Sequence, residues 1–346
     1  MEYLKPKRLQ AGQRVAVLSA SWGGPHEFPA VYEAGLRTLS QTFGLEIVEF
    51  PTTRMSPDEL ARNPQLRAAD FNAAFADPSI NAIIASIGGD DSARILEHLD
   101  VDVIRANPKI VLGYSDTGTQ LLFCNQLGLV TFNGPAVMAG FAQMANFPEL
   151  TEHVRAILFD PTDRYQYQPF PTWTPSYADW SEPGNHDVVT GPLPNNAGWR
   201  WLNGAGVGRG RLFGGCMEVL EFLKGSRFWP SQDFWVDRIL FLEPSEEEPT
   251  IDQIRYWLFN YGIQGAFDRL SGLLIGRARG YTPEESRKLD QMIIETVVGQ
   301  FGASELPIVT NLDFGHTDPQ WILPLGVMAE IDCNRQTIAL IEPAVS

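Results

Sequence analysis

The chain of 346 residues is long enough for two hydrophobic cores, because single domains usually hold roughly 100–200 residues. Its 44% hydrophobic content, with 20 Phe and 9 Trp, indicates a packed globular protein and argues against disorder. With 26 Lys and Arg against 42 Asp and Glu, the formal net charge of −16 repels phosphate backbones and anionic lipids, so we expect neither a nucleic-acid partner nor a membrane partner.

The start of the chain and its cysteines indicate the cellular compartment in which we expect the protein. Positive charge near the start is not followed by an apolar signal-peptide core, and no later apolar run is long enough to cross a bilayer. Cys124, Cys216 and Cys333 are odd in number and widely separated, which favours neither a disulfide framework nor a C-x-x-C metal site. We therefore expect a cytoplasmic protein without a bound metal.

Apolar runs alternate with helix-like segments through the first half of the chain. The runs predict β-strands at residues 15–19, 45–50, 80–87 and 109–113, and the segments between them predict helices at 29–43, 57–77 and 92–106. Such alternation is typical of an α/β domain with a mostly parallel sheet and helices on both faces. Ligands of such sheets collect at the carboxyl ends of the strands.

Residues 109–123 have the pattern of a strand, a sharp turn and a helix, with Ser115 at the turn. A serine there lies beside a helix N-terminus, whose free N–H groups and positive dipole end favour an anion, and this suits an acyl-transfer nucleophile. Gly113 matches the first glycine of the G-x-S-x-G elbow, but the next glycine, Gly118, comes one position late. The match is partial, and an N-cap formed by Ser115 and Asp116 is the alternative.

The strand predicted at 80–87 ends in a Gly-Gly-Asp-Asp sequence that begins at Gly88. A phosphate loop is a weak interpretation, because neither G-x-G-x-x-G nor G-K-[ST] is present there, and a structural turn is a second one. The sharper interpretation is an oxyanion hole, in which the backbone N–H of Gly89 is one donor and that of Asp116 the other. Gly88 and Asp90 are then candidates for substrate contact.

From about residue 160 to 208 the composition changes, with prolines interleaved with Trp and Tyr and no clear periodicity. Connections of this length in a compact protein are usually functional or disordered, and the aromatic density argues against disorder. We interpret the segment as a linker whose rings line the site. The alternative is that the rings only pack the linker onto the two domains.

The second half contains four strand candidates, two helix candidates and a terminal hairpin. The strands are predicted at residues 209–215, 238–243, 270–275 and 308–312, the helices at 250–264 and 284–301, and the hairpin at 326–342. No internal repeat interrupts this pattern.

A serine nucleophile needs a base, commonly a histidine, which a carboxylate orients. Of the five histidines, His316 is the best candidate because it follows a predicted strand and lies in a loop fixed by glycine and proline, and His26 is the second choice. Glu243 ends a predicted strand and is placed to orient a neighbouring strand-end histidine. Its alternative role is a loop-facing acid ahead of the acidic run at 246–248.

Five short motifs, in the same order, resemble those of the LD-carboxypeptidase family, which includes the microcin C immunity peptidases. They are Ile-Gly-Gly at 87–89, Gly-Tyr-Ser-Asp at 113–116, Gly-Arg-Leu-Phe-Gly-Gly at 210–215, Phe-Leu-Glu-Pro-Ser-Glu-Glu at 241–247, and Gly-His at 315–316 followed by Leu-Pro-Leu-Gly at 323–326. The resemblance covers essentially the whole chain.

This resemblance implies an α/β fold in two domains. The amino-terminal domain, residues 1–160, would be a doubly wound, mostly parallel sheet that carries the nucleophile. A Pro/Trp-rich linker and substrate loop at 161–208 would lead to a smaller β-rich α/β domain at 209–346. Family members are usually dimeric, so we expect a homodimer.

The resemblance also implies roles for single residues. The Ser-Glu-His triad of the family falls on Ser115, Glu243 and His316. The linker looks like that of the immunity-peptidase branch, whose members hydrolyse aminoacyl-adenylate-like amides, and Trp180 is the candidate to stack on the nucleobase.

Two positions bear on the substrate. Where the family commonly has Gly-Gly-Asn-Leu, this chain has Cys216 in place of the asparagine, which alters any polar contact made there. Glu247, in the acidic run, is a candidate contact, since a carboxylate facing the cleft attracts basic substrate side chains and repels acidic ones. The alternative is a solvated acidic turn.

These observations together predict a serine peptidase without a cofactor, which cleaves muropeptide L,D-amide bonds or microcin C-like aminoacyl-nucleotide amides. Its expected partner is a small peptide or an aminoacyl-nucleotide substrate. Two alternatives stay open. One is an esterase of the α/β-hydrolase type, which shares the chain order serine, acid, histidine, and the other is a non-catalytic protein that binds a small ligand.

Overall fold

The fold is built on two β-sheets, and the computed structural model describes residues 2–346. The strands are β1 (Arg14–Leu18), β2 (Glu46–Glu49), β3 (Ile80–Ala85), β4 (Ile110–Gly113), β5 (Thr131–Asn133), β6 (Tyr165–Gln166), β7 (Arg200–Asn203), β8 (Val207–Cys216), β9 (Arg238–Glu243), β10 (Gly272–Gly276), β11 (Ile308–Leu312), β12 (Leu323–Leu325), β13 (Met328–Asp332) and β14 (Thr337–Leu340).

The α-helices lie mainly between parallel strands. They are α1 (Gly24–Glu27), α2 (Pro29–Phe43), α3 (Pro57–Arg62), α4 (Pro64–Ala76), α5 (Val101–Ala106), α6 (Gly118–Gln126), α7 (Pro148–Leu158), α8 (Met217–Leu223), α9 (Ile251–Ile263) and α10 (Pro283–Ile293). Short 3-10 helices are Ser92–His98, Ser115–Thr117, Met144–Asn146 and Gln232–Trp235, and a π-helical turn, Ile294–Gln300, continues α10. Within residues 2–346 no helix is both long enough and apolar enough to span a membrane.

The first sheet has the strand order β12-β5-β4-β3-β1-β2, and all neighbours from β5 to β2 run parallel. All positions of β4 are buried, as expected for a parallel sheet that is covered on both faces. The strand order reverses between β1 and β3, and ligands of doubly wound folds gather at such a point. The predicted doubly wound, mostly parallel amino-terminal domain is confirmed.

The second sheet has the order β6-β14-β13-β8-β9-β10-β11-β7. Its centre, from β8 to β11, is parallel, while antiparallel strands lie on both sides. β6 and β7 come from the segment interpreted as a linker, so part of that segment is built into the sheet. The β-rich α/β character of the carboxy-terminal half is confirmed.

The chain crosses from the second sheet to the first between β11 and β12, because β12 pairs antiparallel with β5. We call residues 313–322 the crossing segment; it carries His316. It brings the carboxyl end of the second sheet next to that of β4. The domain limits at 160 and 208 stay a prediction, although β12 lies in the sheet of the other half.

Two of the predicted helices are interrupted. The segment 57–77 forms α3 and α4, because Pro64 has no N–H to continue α3 and occupies the first position of α4. The segment 92–106 forms a 3-10 helix and then α5. The Asp100 side chain accepts two backbone N–H bonds and thereby caps the start of α5.

Candidate active site

Ser115 lies at a strained turn directly after β4. Its φ of 56° falls in the left-handed region, which residues other than glycine seldom adopt. The N-cap of α6 is Thr117, and no side-chain hydrogen bond caps that helix. The interpretation of Ser115 and Asp116 as an N-cap therefore does not describe this turn, which presents Ser115 in the manner of a nucleophile elbow.

The Asp116 side chain holds this turn in place. Its buried carboxylate accepts hydrogen bonds from the Ser21 hydroxyl and from the backbone N–H of Ser92, the latter at 2.8 Å. The Ser92 hydroxyl donates to the Asp116 carbonyl at 2.6 Å. Burial raises the pKa of the Asp116 carboxyl, although these hydrogen bonds oppose the rise. One carboxylate thus ties together the loops that follow β1, β3 and β4.

The Gly88–Gly89 turn packs against Ser115. A Cβ on Gly88 would lie 2.8 Å from the Ser115 Cβ and 2.9 Å from its Oγ, so only glycine permits this approach. In the part of the chain that the structure describes, the backbone N–H groups of Gly88 and Gly89 have no hydrogen-bond acceptor. They are available to a ligand, but the oxyanion role of Gly89 and Asp116 stays a prediction.

Glu243 and His316 form a buried pair at the carboxyl ends of the second sheet. Glu243 ends β9 and is 0% exposed, while His316 in the crossing segment is 8% exposed. The Nδ1 atom of His316 lies 2.7 Å from Oε2 of Glu243, within hydrogen-bonding range. Gly315 allows this contact, because a Cβ there would lie 2.7 Å from the same Oε2. The structure brings together the residues predicted as base and orienting acid.

A second carboxylate lies against the other ring nitrogen of His316. Oε2 of Glu246 is 2.8 Å from Nε2, but it is not aligned with the N–H direction, so the contact is an ion pair and not a directed hydrogen bond. The residue predicted from this acidic run was Glu247. Glu247 is exposed and is not among the residues that line the cavity described below, whereas Glu246 is.

The two carboxylates set the charge of His316. Burial lowers the pKa of the imidazole, but Glu243 and Glu246 outweigh burial and raise the pKa to about 10. Partial burial raises the pKa of Glu246, yet the imidazolium outweighs it and brings the pKa to about 2. For Glu243, burial raises the pKa and His316 opposes the rise. The 2.7 Å contact with a cationic ring favours the ionised carboxylate, so we treat Glu243 as charged.

Ser115 and His316 line the same cavity, whose volume is about 180 Å³. It is also lined by Ile87, Gly88, Tyr114, Ala139, Tyr177, Trp180, Glu246 and Arg279. The Tyr114 and His316 rings lie 5.0 Å apart between centroids. Tyr114, Tyr177 and Arg279 were not among the candidate site residues. Tyr114 lies inside the Gly-Tyr-Ser-Asp motif and Tyr177 lies in the linker whose rings were expected to line the site, whereas Arg279 had no signal in the sequence.

Trp180 lies in the wall of the cavity and is itself packed by neighbours. Its ring stacks on Tyr177 at 5.4 Å with an interplanar angle of 20°, and it meets Phe28 edge-on at 5.6 Å. The Tyr177 hydroxyl donates to Asp318, which lies two residues after His316. The aromatic segment is therefore bound to the crossing segment, and its rings both line the site and pack the connection.

The remaining candidates are not among the residues that line the cavity. Asp90 is exposed, and His26 is exposed in α1. Cys216 ends β8, is buried, and is the register partner of Glu243. The ligand atoms of Cys216, Glu243 and His316 lie within 4.8 Å of one another, and Nδ1 of His316 is the atom that contacts Glu243.

Two family models cover most of the chain. Residues 15–134 match the LD-carboxypeptidase N-terminal domain, and residues 209–331 match the LD-carboxypeptidase C-terminal domain. The chain belongs to the LD-carboxypeptidase family. A Streptomyces coelicolor protein, provisionally named as a carboxypeptidase, is 30% identical in sequence to this chain, over 99% of this chain and 98% of its own length.

Relatives of this LD-carboxypeptidase family member include peptidases and an immunity protein. A Bacillus subtilis protein, named as a probable murein peptide carboxypeptidase, is 26% identical across 99% of this chain and 95% of its own length. The structure of MccF, the microcin C7 self-immunity protein known from Escherichia coli, was solved in complex with glutamyl sulfamoyl guanosine. It matches with a TM-score of 0.84 at 26% identity and covers 99% of this chain and 100% of that one. The predicted family is confirmed, and the roles of single residues stay predictions.

Proposed function

We propose that this LD-carboxypeptidase family member is a serine peptidase with a triad of Ser115, His316 and Glu243. The observation that carries the proposal is the 2.7 Å contact between Nδ1 of His316 and Glu243, beside a cavity that Ser115 also lines. A base oriented by a carboxylate, in a cavity that also holds a serine, is an arrangement that can activate a hydroxyl nucleophile. The left-handed φ of 56° at Ser115 supports the same role.

In the proposed reaction, Oγ of Ser115 attacks the amide carbonyl while Nε2 of His316 takes the hydroxyl proton. The backbone N–H groups of Gly89 and Asp116 receive the developing oxyanion, which the N-terminal end of α6 also favours. His316 then gives the proton to the leaving amine, and water hydrolyses the acyl-enzyme by the same steps. Glu243 orients the imidazole throughout.

The proposed substrate is a muropeptide L,D-amide or a microcin C-like aminoacyl-nucleotide amide. The B. subtilis relative supports the first by its name, and MccF supports the second because its bound ligand joins an aminoacyl group to a nucleoside. Trp180 is the proposed platform for a nucleobase. The other proposed contacts are Gly88, Asp90, Cys216, Glu246 and Glu247.

The test is to incubate the purified protein with a muropeptide tetrapeptide and, separately, with an aminoacyl sulfamoyl adenosine, and to identify products by mass. We expect release of an amino acid from at least one of them, and no release by Ser115→Ala. Fast turnover of aryl esters without amide hydrolysis would indicate the esterase. Binding of either compound without turnover of any would indicate a binding protein.

We also propose that the protein is a cytoplasmic homodimer. Its three cysteines are unpaired, which suits a reducing compartment. Tyr256, Phe259 and Ile263 lie on one face of α9 and are exposed by 62%, 39% and 70%. Light scattering should give the mass of two chains, and Ile263→Glu should give the mass of one. Leu66→Glu, at an exposed apolar position on α4, is the control that should stay dimeric.

A further inference from the structure

The surroundings of His316 favour its protonated form, which cannot act as a base. A base must offer an unprotonated Nε2 to the Ser115 hydroxyl. In the structure Nε2 lies 2.8 Å from Oε2 of Glu246, out of line with the N–H direction, and the negative charge of that carboxylate favours a proton on the nitrogen. The contact therefore favours a proton on the same atom that is proposed to take the serine proton.

Carboxylates outnumber cations around this imidazole. The titratable and charged groups near it are Cys216 at the end of β8, Glu243 at the end of β9, Glu246 in the following loop, Arg279 after β10, Asp318 in the crossing segment, and the hydroxyls of Tyr114 and Tyr177. Among the described residues that line the cavity, Arg279 is the only cation besides His316. A ligand that brings positive charge is therefore favoured there.

Glu246 is the movable one of the two carboxylates that contact His316. Glu243 is fully buried, and Gly276 and Gly315 close around it so tightly that a Cβ on either would lie 2.8 Å from its Cβ. The Glu246 side chain is 46% exposed and lies in the loop between β9 and α9. Within residues 2–346, His316 is its only ion-pair partner. A competing cation can draw Glu246 away without disrupting a helix or strand.

We propose that Glu246 is a gate on the catalytic base, opened by a positively charged group of the substrate; this rests on the proposed peptidase function. In the closed form Glu246 keeps His316 as an imidazolium. An ammonium group beside the scissile amide pairs with Glu246 in its place, and Nε2 releases its proton to water. The neutral imidazole, still bound through Nδ1–H to Glu243, then accepts the Ser115 proton as the bond from Oγ to the carbonyl carbon forms.

The gate defines the substrate class more narrowly than the triad does. The substrate is an amide with a free ammonium close to its carbonyl, such as the α-ammonium of an aminoacyl group. An N-acylated analogue keeps the scissile bond but cannot open the gate. The pKa of His316, which the two carboxylates raise to about 10 against the lowering effect of burial, agrees with a closed form that persists at neutral pH.

The contact itself is tested without turnover. In Ser115→Ala protein labelled with ¹⁵N-histidine, NMR follows the protonation of His316 against pH. Adding Glu246→Gln should lower the titration midpoint by about one pH unit or more, because one of two carboxylates loses its charge. Glu246→Asp, which keeps the charge, should largely restore it. Glu248→Gln is the matched control, since it removes the same charge two residues along the loop and outside the cavity. An unchanged midpoint in Glu246→Gln would overturn the proposal.

The substrate requirement is tested by comparing an aminoacyl sulfamoyl adenosine with its N-acetyl derivative. The wild-type protein should favour the free amine in kcat/KM by about tenfold or more, and Glu246→Gln should lose that preference while Glu248→Gln keeps it. Equal turnover of both compounds by the wild type would refute the gate. If neither compound nor the muropeptide were hydrolysed, the peptidase function would be refuted instead. The NMR titration midpoint would still decide whether Glu246 controls the charge of His316.

Discussion

Replacing Gly88 by alanine places a methyl group against the proposed nucleophile. The new Cβ would lie 2.9 Å from Oγ of Ser115 and 3.3 Å from the backbone N of Asp116. Gly88 is not among the glycines with positive φ, so the substitution crowds its neighbours without straining its own backbone. It therefore tests whether the space between these atoms is where the substrate carbonyl reacts.

The structure gives the size of the effect. Ordinary van der Waals contact begins at 3.4 Å, so Oγ of Ser115 must move by 3.4 − 2.9 = 0.5 Å. A displacement of 1 Å in an active site can cost about 10²-fold, so a displacement of half that size corresponds to a loss of about tenfold. If the methyl group also blocks the N–H of Asp116, loss of this oxyanion donor should lower kcat by a further factor of about 10²–10³. Crowding should lower the free energy of unfolding by about 1–3 kcal/mol.

Gly302→Ala is the matched control for this experiment. Gly302 has a φ of 73° and nothing within 4 Å of an added Cβ, and it does not line the cavity. Its substitution should cost about 1–3 kcal/mol of stability through backbone strain and leave kcat/KM unchanged. Thermal unfolding and kcat/KM should be measured on both variants at a temperature where each is folded. Gly88→Ala with wild-type kcat/KM would show that Ser115 does not react in this space.

Three further predictions concern the triad and the substrate. Ser115→Ala and His316→Ala should each lower kcat by about 10⁴-fold or more in a folded protein, whereas Glu243→Gln should leave a measurable rate; an alanine variant that keeps most of its activity would contradict the triad. Values of kcat/KM for matched substrates should rise from aspartyl to alanyl to lysyl, because Glu246 lines the cavity, and a preference for the aspartyl compound would mean that a cation controls the pocket. Trp180→Ala should raise KM about tenfold for nucleoside substrates only, since base stacking contributes about 1–3 kcal/mol, and an equal rise for the muropeptide would indicate packing alone.

Two strands of the second sheet were predicted with their exact limits from local sequence. β9 and β11 begin and end at the predicted residues, 238–243 and 308–312. Every β9 position is buried, so the apolar residues at 239–242 reflect burial on both faces of the strand. The turn at Ser115 was found for a similar reason, because a strand, a turn and a helix follow one another within a few residues.

Pairing between distant segments left no such local signal. β12 has only three residues, and its middle residue, Pro324, cannot donate a hydrogen bond. Proline is tolerated there because β12 is the edge strand of the first sheet. Periodicity reports which faces of an element are buried, but not which sheet buries them. The crossing segment was therefore predicted as a loop without its function of joining the two sheets.

The acidic run at 246–248 shows that the sequence pattern also does not predict which single side chain of a loop reaches the site. Residues in a loop have no fixed period, so the sequence did not distinguish Glu246 from Glu247, and only Glu246 reaches His316. Glu243, the last residue of β9, and Glu246, three residues later, thus contact the two ring nitrogens from the same strand end. The strand fixes Glu243 and therefore fixes the orientation of the imidazole. The loop leaves Glu246 free to pair with a ligand, so the charge of the imidazole can respond to that ligand. A triad needs only one carboxylate to orient its histidine. This division of roles accounts for the second carboxylate at His316.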